Sequence, residues 1–352
     1  MGDPAGIGPE VVLKCFAQAQ SYPNSGIANA LRGAFVVGDL AHLERAKEQI
    51  GVQGTKLRLL PLSNDGKALE WFDLAQPTAQ SISNVMDVPF LQIPVQGLAA
   101  VGETSPLAGR IAAKNIEWAT TAALKGELSA VVTAPIHKQS LHLAGIKEPG
   151  HTEMLQKICA AYVGCSPGQM PVRMMLANSQ LRVVLLSVHV PLSQAIEMVS
   201  EARILETLKI THDSLSKVLG KPPRIAVAGL NPHAGEGALM GDEEVLVIKP
   251  SLEKARALNP MLSVSGPYSP DTVFMRARQG EFDVVLAMYH DQGLIPIKYM
   301  GVQEGINVTL GLPIVRTSPD HGTAFEIAGR GIADPSSMMR AVEYARLLCE
   351  PI

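Results

Sequence analysis

Aromatic residues are scarce: 7 Phe, 6 Tyr and 2 Trp in 352 residues. None is interleaved with a basic stripe, which excludes nucleic-acid binding by base stacking and phosphate neutralisation. No excess of one charge exists either, because 30 Lys and Arg face 33 Asp and Glu for a net charge of −3. A polyanionic partner is therefore not expected. Cysteine is sparse, and Cys15, Cys159, Cys165 and Cys349 form neither a CxxC pair nor a zinc-ribbon spacing. That excludes a disulfide framework and leaves plain thiols of a reducing compartment. Long apolar runs are missing; Pro, Gly or charge interrupts each before it could cross a bilayer. Met1 runs into GDPAGIGPE without a basic or apolar leader, so the expectation is a cytoplasmic protein with no membrane partner.

What is present is core-forming material. Hydrophobic residues make up 47% of the chain and charged residues 18%, which suits a folded α/β protein rather than a disordered one. Strands are predicted at 34–37, 57–60, 130–133, 172–176, 183–188, 225–228, 284–288 and 306–310. Helical periodicity predicts helices at 9–20, 40–49, 107–124, 192–198, 201–218, 243–257 and 336–348. Ser105, Ser200 and Asp334 are read as N-cap signals, two of them before a proline. Residues 61–100 carry little pattern and are expected to form loops and short strands. Continuous apolar strands alternating with helices predict a largely parallel sheet covered on both faces.

In such sheets ligands collect at the carboxyl ends of the strands. Four apolar runs end in polar clusters: Ile136-His137-Lys138, then His189, then Asn231-Pro232-His233-Ala234-Gly235-Glu236, then His290-Asp291-Gln292-Gly293. Imidazoles delivered from neighbouring strand ends suit Zn²⁺ or another divalent metal with an open position for substrate. Any one of these histidines alone reads better as a satisfied loop residue; their recurrence at strand ends is what strengthens the metal reading. Anion chemistry is a second theme. Gly150-His151-Thr152-Glu153 opens a helical pattern whose free N–H groups suit a phosphate or carboxylate. Lys298, Asn307 and Arg316 are expected along the later strands, placed to clamp the same anion. In the third stretch, from Asp320 through Gly329 to Pro335, small residues would let a flat or diphosphate-bearing ligand approach the backbone without a GxGxxG fingerprint. Gly2–Glu10 reads only as a glycine-rich turn into a helix, and His42, His142 and His212 as ordinary surface or core residues of helices.

GDPAGIGPE, TAPIHK, PGHTEML, GLNPHAGEGALMGDEE, MYHDQGLIPIKY and NVTLGLPIVRTSPDHGTAFEIAGRG together resemble the 4-hydroxythreonine-4-phosphate dehydrogenase family of pyridoxal phosphate biosynthesis over nearly the whole chain. The segment from Asp320 to Pro335 also looks like the cofactor loop of the wider isocitrate and isopropylmalate dehydrogenase superfamily. The resemblance implies two α/β domains around a cleft without a Rossmann motif, the first from 1–125 with 300–352 and the second from 126–299. It implies a homodimer sharing its active sites. It further implies metal ligands at His189, His233 and His290, one supplied by the partner subunit, with zinc the first choice and magnesium, manganese or cobalt the others. Phosphate-end contacts are implied at His151, Thr152, Lys298, Asn307 and Arg316. NAD or NADP is implied along His321, Gly322, Thr323 and Ala324 and toward Asp334, and proton transfer at Lys138, Asp271 or Asp291. Family members have a strand ahead of GDPAGIGPE, so a chain starting at Met1 would leave a gap in that sheet.

The implied reaction oxidises a phosphorylated hydroxy acid and releases CO₂ from the product. Relatives acting on 4-phosphoerythronate or threonate, or on a cis-dihydrodiol dicarboxylate of terephthalate catabolism, are the alternatives within the family. The intact clamp favours phosphate over carboxylate. Outside it, a three-histidine zinc hydrolase and a non-catalytic binding protein are the competing readings.

Overall fold

The computed structural model describes residues 1–51, 56–62, 85–301 and 305–349. The chain divides into two compact units, residues 1–167 with 313–346 and residues 168–312 with 347–352.

In the first unit, β1 (Val36–Gly38), β2 (Lys56–Leu62) and β3 (Val85–Gln92) form a parallel sheet in the order β1-β3-β2. A second parallel pair joins β4 (Ala130–Val132) to β11 (Val315–Pro319). Met1 donates its amine to Val37 O at 3.1 Å, and Asp3 N donates to Pro135 O at 2.9 Å, so the first residues are tied to the ends of β1 and β4. The helix Gly8–Ser21 carries Val11, Leu13 and Phe16 into a core completed by Leu43, Phe90 and Ile111. Pro106 starts the helix Pro106–Leu124, and Ser105 caps it by accepting from Ala108 N at 3.2 Å. His42 lies in this core, its Nδ1 on Asp39 Oδ1 at 2.6 Å and its Nε2 accepting from Ala99 N at 3.0 Å.

The second unit contains β5 (Arg173–Ala177), β6 (Arg182–Leu185), β7 (Ile225–Ala228), β8 (Val264–Tyr268), β9 (Val284–Ala287) and β10 (Ile306–Leu310), in the order β10-β5-β6-β9-β7-β8. Strands β6, β9, β7 and β8 run parallel. Every residue of β7 and β9 is buried, the pattern of strands covered on both faces. Their side chains pack with Val273, Ala277, Leu294 and Ile297 from helices.

The expected parallel sheet needs two corrections. β5 is antiparallel to both neighbours, β10 and β6; residues 178–181 form the tight turn that joins β5 to β6, in which Asn178 Oδ1 accepts from Gln180 N and Leu181 N. Strand β8 was also not expected, since Pro267 interrupts its run, whereas β3 falls in the stretch expected to form loops and short strands and β11 carries Arg316, expected along a later strand. The unpatterned stretch thus holds an eight-residue strand, while residues 63–84 lie outside the described residues. The helix expected at 243–257 opens with a π-turn, Glu244–Ile248, before the α-helix Lys249–Leu258. Ser200 stands at an N-cap position without a side-chain hydrogen bond.

Candidate active site

Parallel strands all present their carboxyl ends at one edge, so the order β6-β9-β7-β8 fixes the sequence of loops along it. His189 follows β6, His290 follows β9, His233 follows β7 and Asp271 follows β8. Four chemistry-bearing residues widely separated in sequence therefore line one edge of the second unit. The rings of His189 and His290 lie 5.4 Å apart between centroids. His290 Nδ1 is 2.6 Å from Asp291 Oδ1, which leaves its Nε2 as the outward nitrogen, as a carboxylate-oriented metal ligand requires. Asp271 bonds the Ser269 hydroxyl, and that bond, with the nearby His233, holds its carboxyl below the usual range. Among the described residues no three His, Cys, Asp or Glu side chains cluster as a metal site within one chain.

The loop carrying His233 has an unusual backbone. His233, Ala234 and Glu236 adopt φ of 51°, 54° and 42°, and Gly235 and Gly237 continue the left-handed turn. Non-glycine residues in this region cost about 1 kcal/mol or more each and persist only where the surroundings impose them. Two residues to which the sequence assigned no role fix the backbone that leads into this turn. Glu244, fully buried, accepts from Leu230 N at 2.7 Å, Asn231 N at 2.8 Å and Asn231 Nδ2 at 2.9 Å. Gln292 accepts from Met288 N and donates to Gly229 O, both at 2.7 Å, stapling the loops of His290 and His233 together. Gln292 stood in the strand-end cluster His290–Gly293 without a role of its own, and Glu244 was signalled by its place within the NPHAGEGALMGDEE block.

Lys298 requires a correction, because it lies on the helix His290–Tyr299 rather than on a strand, exposed. Asn307 lies half-buried in β10, as expected.

In the first unit the helix His151–Val163 begins after the extended Gly150, placing His151 and Thr152 in its first turn. Arg316 on β11 is 3% exposed and donates from Nε and Nη2 to Thr133 Oγ1 at 3.2 and 2.7 Å. Burial pulls its pKa down to about 10, which leaves it protonated at neutral pH. His151 is half-buried as a residue, yet its Nε2 is buried without a partner. Burial, then the Arg316 cation, pushes the His151 pKa well below 6.5. The imidazole is thus neutral at physiological pH, with an unsatisfied nitrogen near a buried cation.

A pH dependence follows. A histidine whose folded pKa lies below its unfolded value is protonated mainly in the unfolded chain as pH falls. Its contribution is flat above about pH 6.5 and erodes stability below that, by at most about 1.4 kcal/mol per pH unit. Urea unfolding at about pH 7 and about pH 5 should show a smaller acid loss for His151→Asn than for the parent; equal losses would refute the assignment.

The loop from His321 to Asp334 also belongs to the first unit. His321 Nε2 is buried without a partner, Thr323 is buried, and Ala324 takes φ 43°. Nothing lies within 4 Å of where a Cβ on Gly322 would stand, so the backbone there is open to a ligand. Asp334 Oδ1 accepts from Ser336 N at 2.9 Å and starts the last helix. Lys138 is the exposed first residue of the helix Lys138–Leu143.

The two-unit mixed α/β architecture is that of a family of dehydrogenases. Residues 31–345 match the family described as pyridoxal phosphate biosynthetic protein PdxA, and the chain belongs to that family. It is 43% identical to the 4-hydroxythreonine-4-phosphate dehydrogenase of Beijerinckia indica subsp. indica, over 100% of this chain and 94% of the relative. It is 39% identical to the D-threonate 4-phosphate dehydrogenase of Salmonella typhimurium, over 99% of this chain and 97% of the relative. A crystal structure of 4-hydroxythreonine-4-phosphate dehydrogenase from Klebsiella pneumoniae superposes with a TM-score of 0.80 at 39% identity, covering 99% of this chain and 96% of that one. No helix among the described residues is long and apolar enough to cross a membrane.

Proposed function

We propose that the chain oxidises 4-hydroxythreonine 4-phosphate, or a closely related 4-phosphorylated hydroxy acid such as threonate, and that the product loses CO₂. The observation that carries this reading is the buried Arg316 cation near the unsatisfied His151 Nε2, in the first turn of the helix His151–Val163. Helix N–H groups and a fixed guanidinium suit a phosphate dianion. Thr152, in the same helical turn, joins this phosphate-binding set.

The donor chemistry of the second unit fits a divalent metal, zinc first, because His189 and His290 already stand side by side with Asp291 orienting one of them. His233 is the third ligand. One of the three ligands is assigned to a second copy of the chain. Leu239, Leu246, Ile295 and Tyr299 are 81%, 65%, 66% and 92% exposed, and apolar side chains of this size on one unit suit a homodimer interface. A bound divalent metal would supply Lewis-acid polarisation, and NAD or NADP, for which His321, Gly322, Thr323 and Ala324 are the proposed contacts, would supply the hydride acceptor. Asp271 is held ionised and exposed, the state a proton acceptor needs, whereas Asp291 is engaged with His290 and orients it. Lys138 is the candidate proton donor.

Turnover read from reduced nicotinamide absorbance, with metal-replete protein, should be confined to 4-phosphorylated hydroxy acids. Turnover confined to a cis-dihydrodiol dicarboxylate would replace this reading, and metal-dependent hydrolysis without any nicotinamide would remove it.

A further inference from the structure

The glycine-rich turn at Gly2–Glu10 has no part in the site so far, yet it is bonded to the proposed cofactor loop at both of that loop's arms. At the first arm Ile7 N donates to Thr323 O at 3.0 Å. A Cβ on Gly6 would meet Thr323 Cβ and O at 2.8 Å, so only glycine lets the two backbones approach this closely. At the second arm two side chains of the helix Gly8–Ser21, one turn apart, hold the returning backbone. Glu10 Oε1 accepts from Ala333 N at 2.7 Å and from Lys14 Nζ at 2.8 Å. Lys14 Nζ also donates to Gly331 O at 2.9 Å and Ala333 O at 2.6 Å. All three ammonium protons are thereby used, and Glu10 is 3% exposed.

This is an expensive arrangement for stability alone, since an ion pair drawn out of water gains little over an apolar substitute. Its product is registry: one amide and two carbonyls next to Asp334 are fixed to the rigid helix whose first turn also fixes Thr323. Between them the loop exposes Gly322 and carries Ala324 at φ 43°. A loop with left-handed residues and an open face keeps a single conformation only if its ends are fixed.

We propose that Glu10 and Lys14 are positioning residues that preorganise the loop from His321 to Asp334 for the nicotinamide dinucleotide. The inference rests on the reading that this loop binds the cofactor. Neither side chain touches the reacting atoms. They act through the backbone at Gly331 and Ala333.

The test uses the full-length, metal-replete protein with Lys14→Met and Glu10→Gln, and NAD or NADP alone as the probe, whichever the parent binds. Titration calorimetry should show dinucleotide affinity reduced about tenfold in Lys14→Met, the scale of losing a charge-assisted bond set. In turnover, KM for the dinucleotide should rise by a similar factor, with kcat and KM for the phosphorylated substrate changing less than about twofold. Amide exchange should quicken across 322–334 and stay unchanged in the helix Pro106–Leu124. Glu10→Gln keeps an acceptor for Ala333 N and should lie between Lys14→Met and the parent, which guards against a variant that merely fails to fold. Faster exchange with unaltered dinucleotide affinity would overturn the proposal and leave the pair a structural brace. A parent that binds no dinucleotide would instead remove the reading of the loop, and the inference with it.

Discussion

His233→Asn is expected to lower turnover by about a thousandfold while leaving the fold intact, the loss typical of removing one fixed electrostatic partner of the reacting oxygen. Asparagine is the informative replacement because His233 sits at φ 51°, a left-handed conformation that asparagine tolerates better than alanine. Using it separates loss of the imidazole from added backbone strain. His233 is exposed and on a loop, so its removal opens no cavity in the core. The unfolding midpoint should therefore shift little, while bound metal per chain falls sharply by elemental analysis. Asp291→Asn is the graded companion. It spares His290 but weakens the bond that orients the ring, so activity should fall by about ten- to a hundredfold. Retention of full metal content and turnover in His233→Asn would refute the metal assignment. A destabilised protein with normal metal content would show instead that the loop's strain is the larger role of this position.

The edge that carries these residues was legible because parallel strands buried on both faces leave a plain record: β7 and β9 read as unbroken apolar runs, with the next polar residues at their carboxyl ends. The same reasoning could not bound β3 within 61–100, because its Asp87 pairs with Arg58 across the sheet and so breaks the run without breaking the strand. Nor could it see the helix His290–Tyr299, since Gly293 and Pro296 are poor helix residues locally. Gly293 is nevertheless required there, because a Cβ would stand 2.5 Å from Leu185 and 2.8 Å from Val183. Tertiary packing overrides propensity at that position. The residues that hold the site were invisible for a different reason. Gln292 reaches Gly229 across 63 positions and Lys14 reaches Ala333 across 319, and no local pattern announces a partner at such a distance. Residue types suited to the chemistry could be picked out along the chain; the contacts that orient them needed the fold.

Arg316→Met should separate stability from function in the opposite unit. In the folded chain the guanidinium is 3% exposed, and burial has already drawn its pKa down to about 10. A buried cation of this kind is costly, and replacing one by an apolar side chain of similar length is often neutral or stabilising. The opposing cost is small, about 1 kcal/mol for leaving the Thr133 hydroxyl without its donor. Stability should thus change by no more than about 1 to 2 kcal/mol in either direction. Relief of His151 from a neighbouring positive charge should also raise that imidazole's pKa toward its ordinary value, reducing the acid-side loss of stability. Binding should behave differently. Losing a fixed bidentate donor to a dianion should weaken affinity for the phosphorylated substrate by about a hundredfold, seen chiefly in KM, because the phosphate takes no part in the bonds made and broken. Arg316→Lys should recover little of this, since a single ammonium point charge cannot reproduce the planar fork held against Thr133. A methionine variant with unchanged KM would place the phosphate elsewhere. One that unfolds would show that the cation serves the core first. A variant of near-normal stability with a large rise in KM would mark Arg316 as a charge kept inside the protein for its ligand, at a cost the folded chain alone gives no reason to bear.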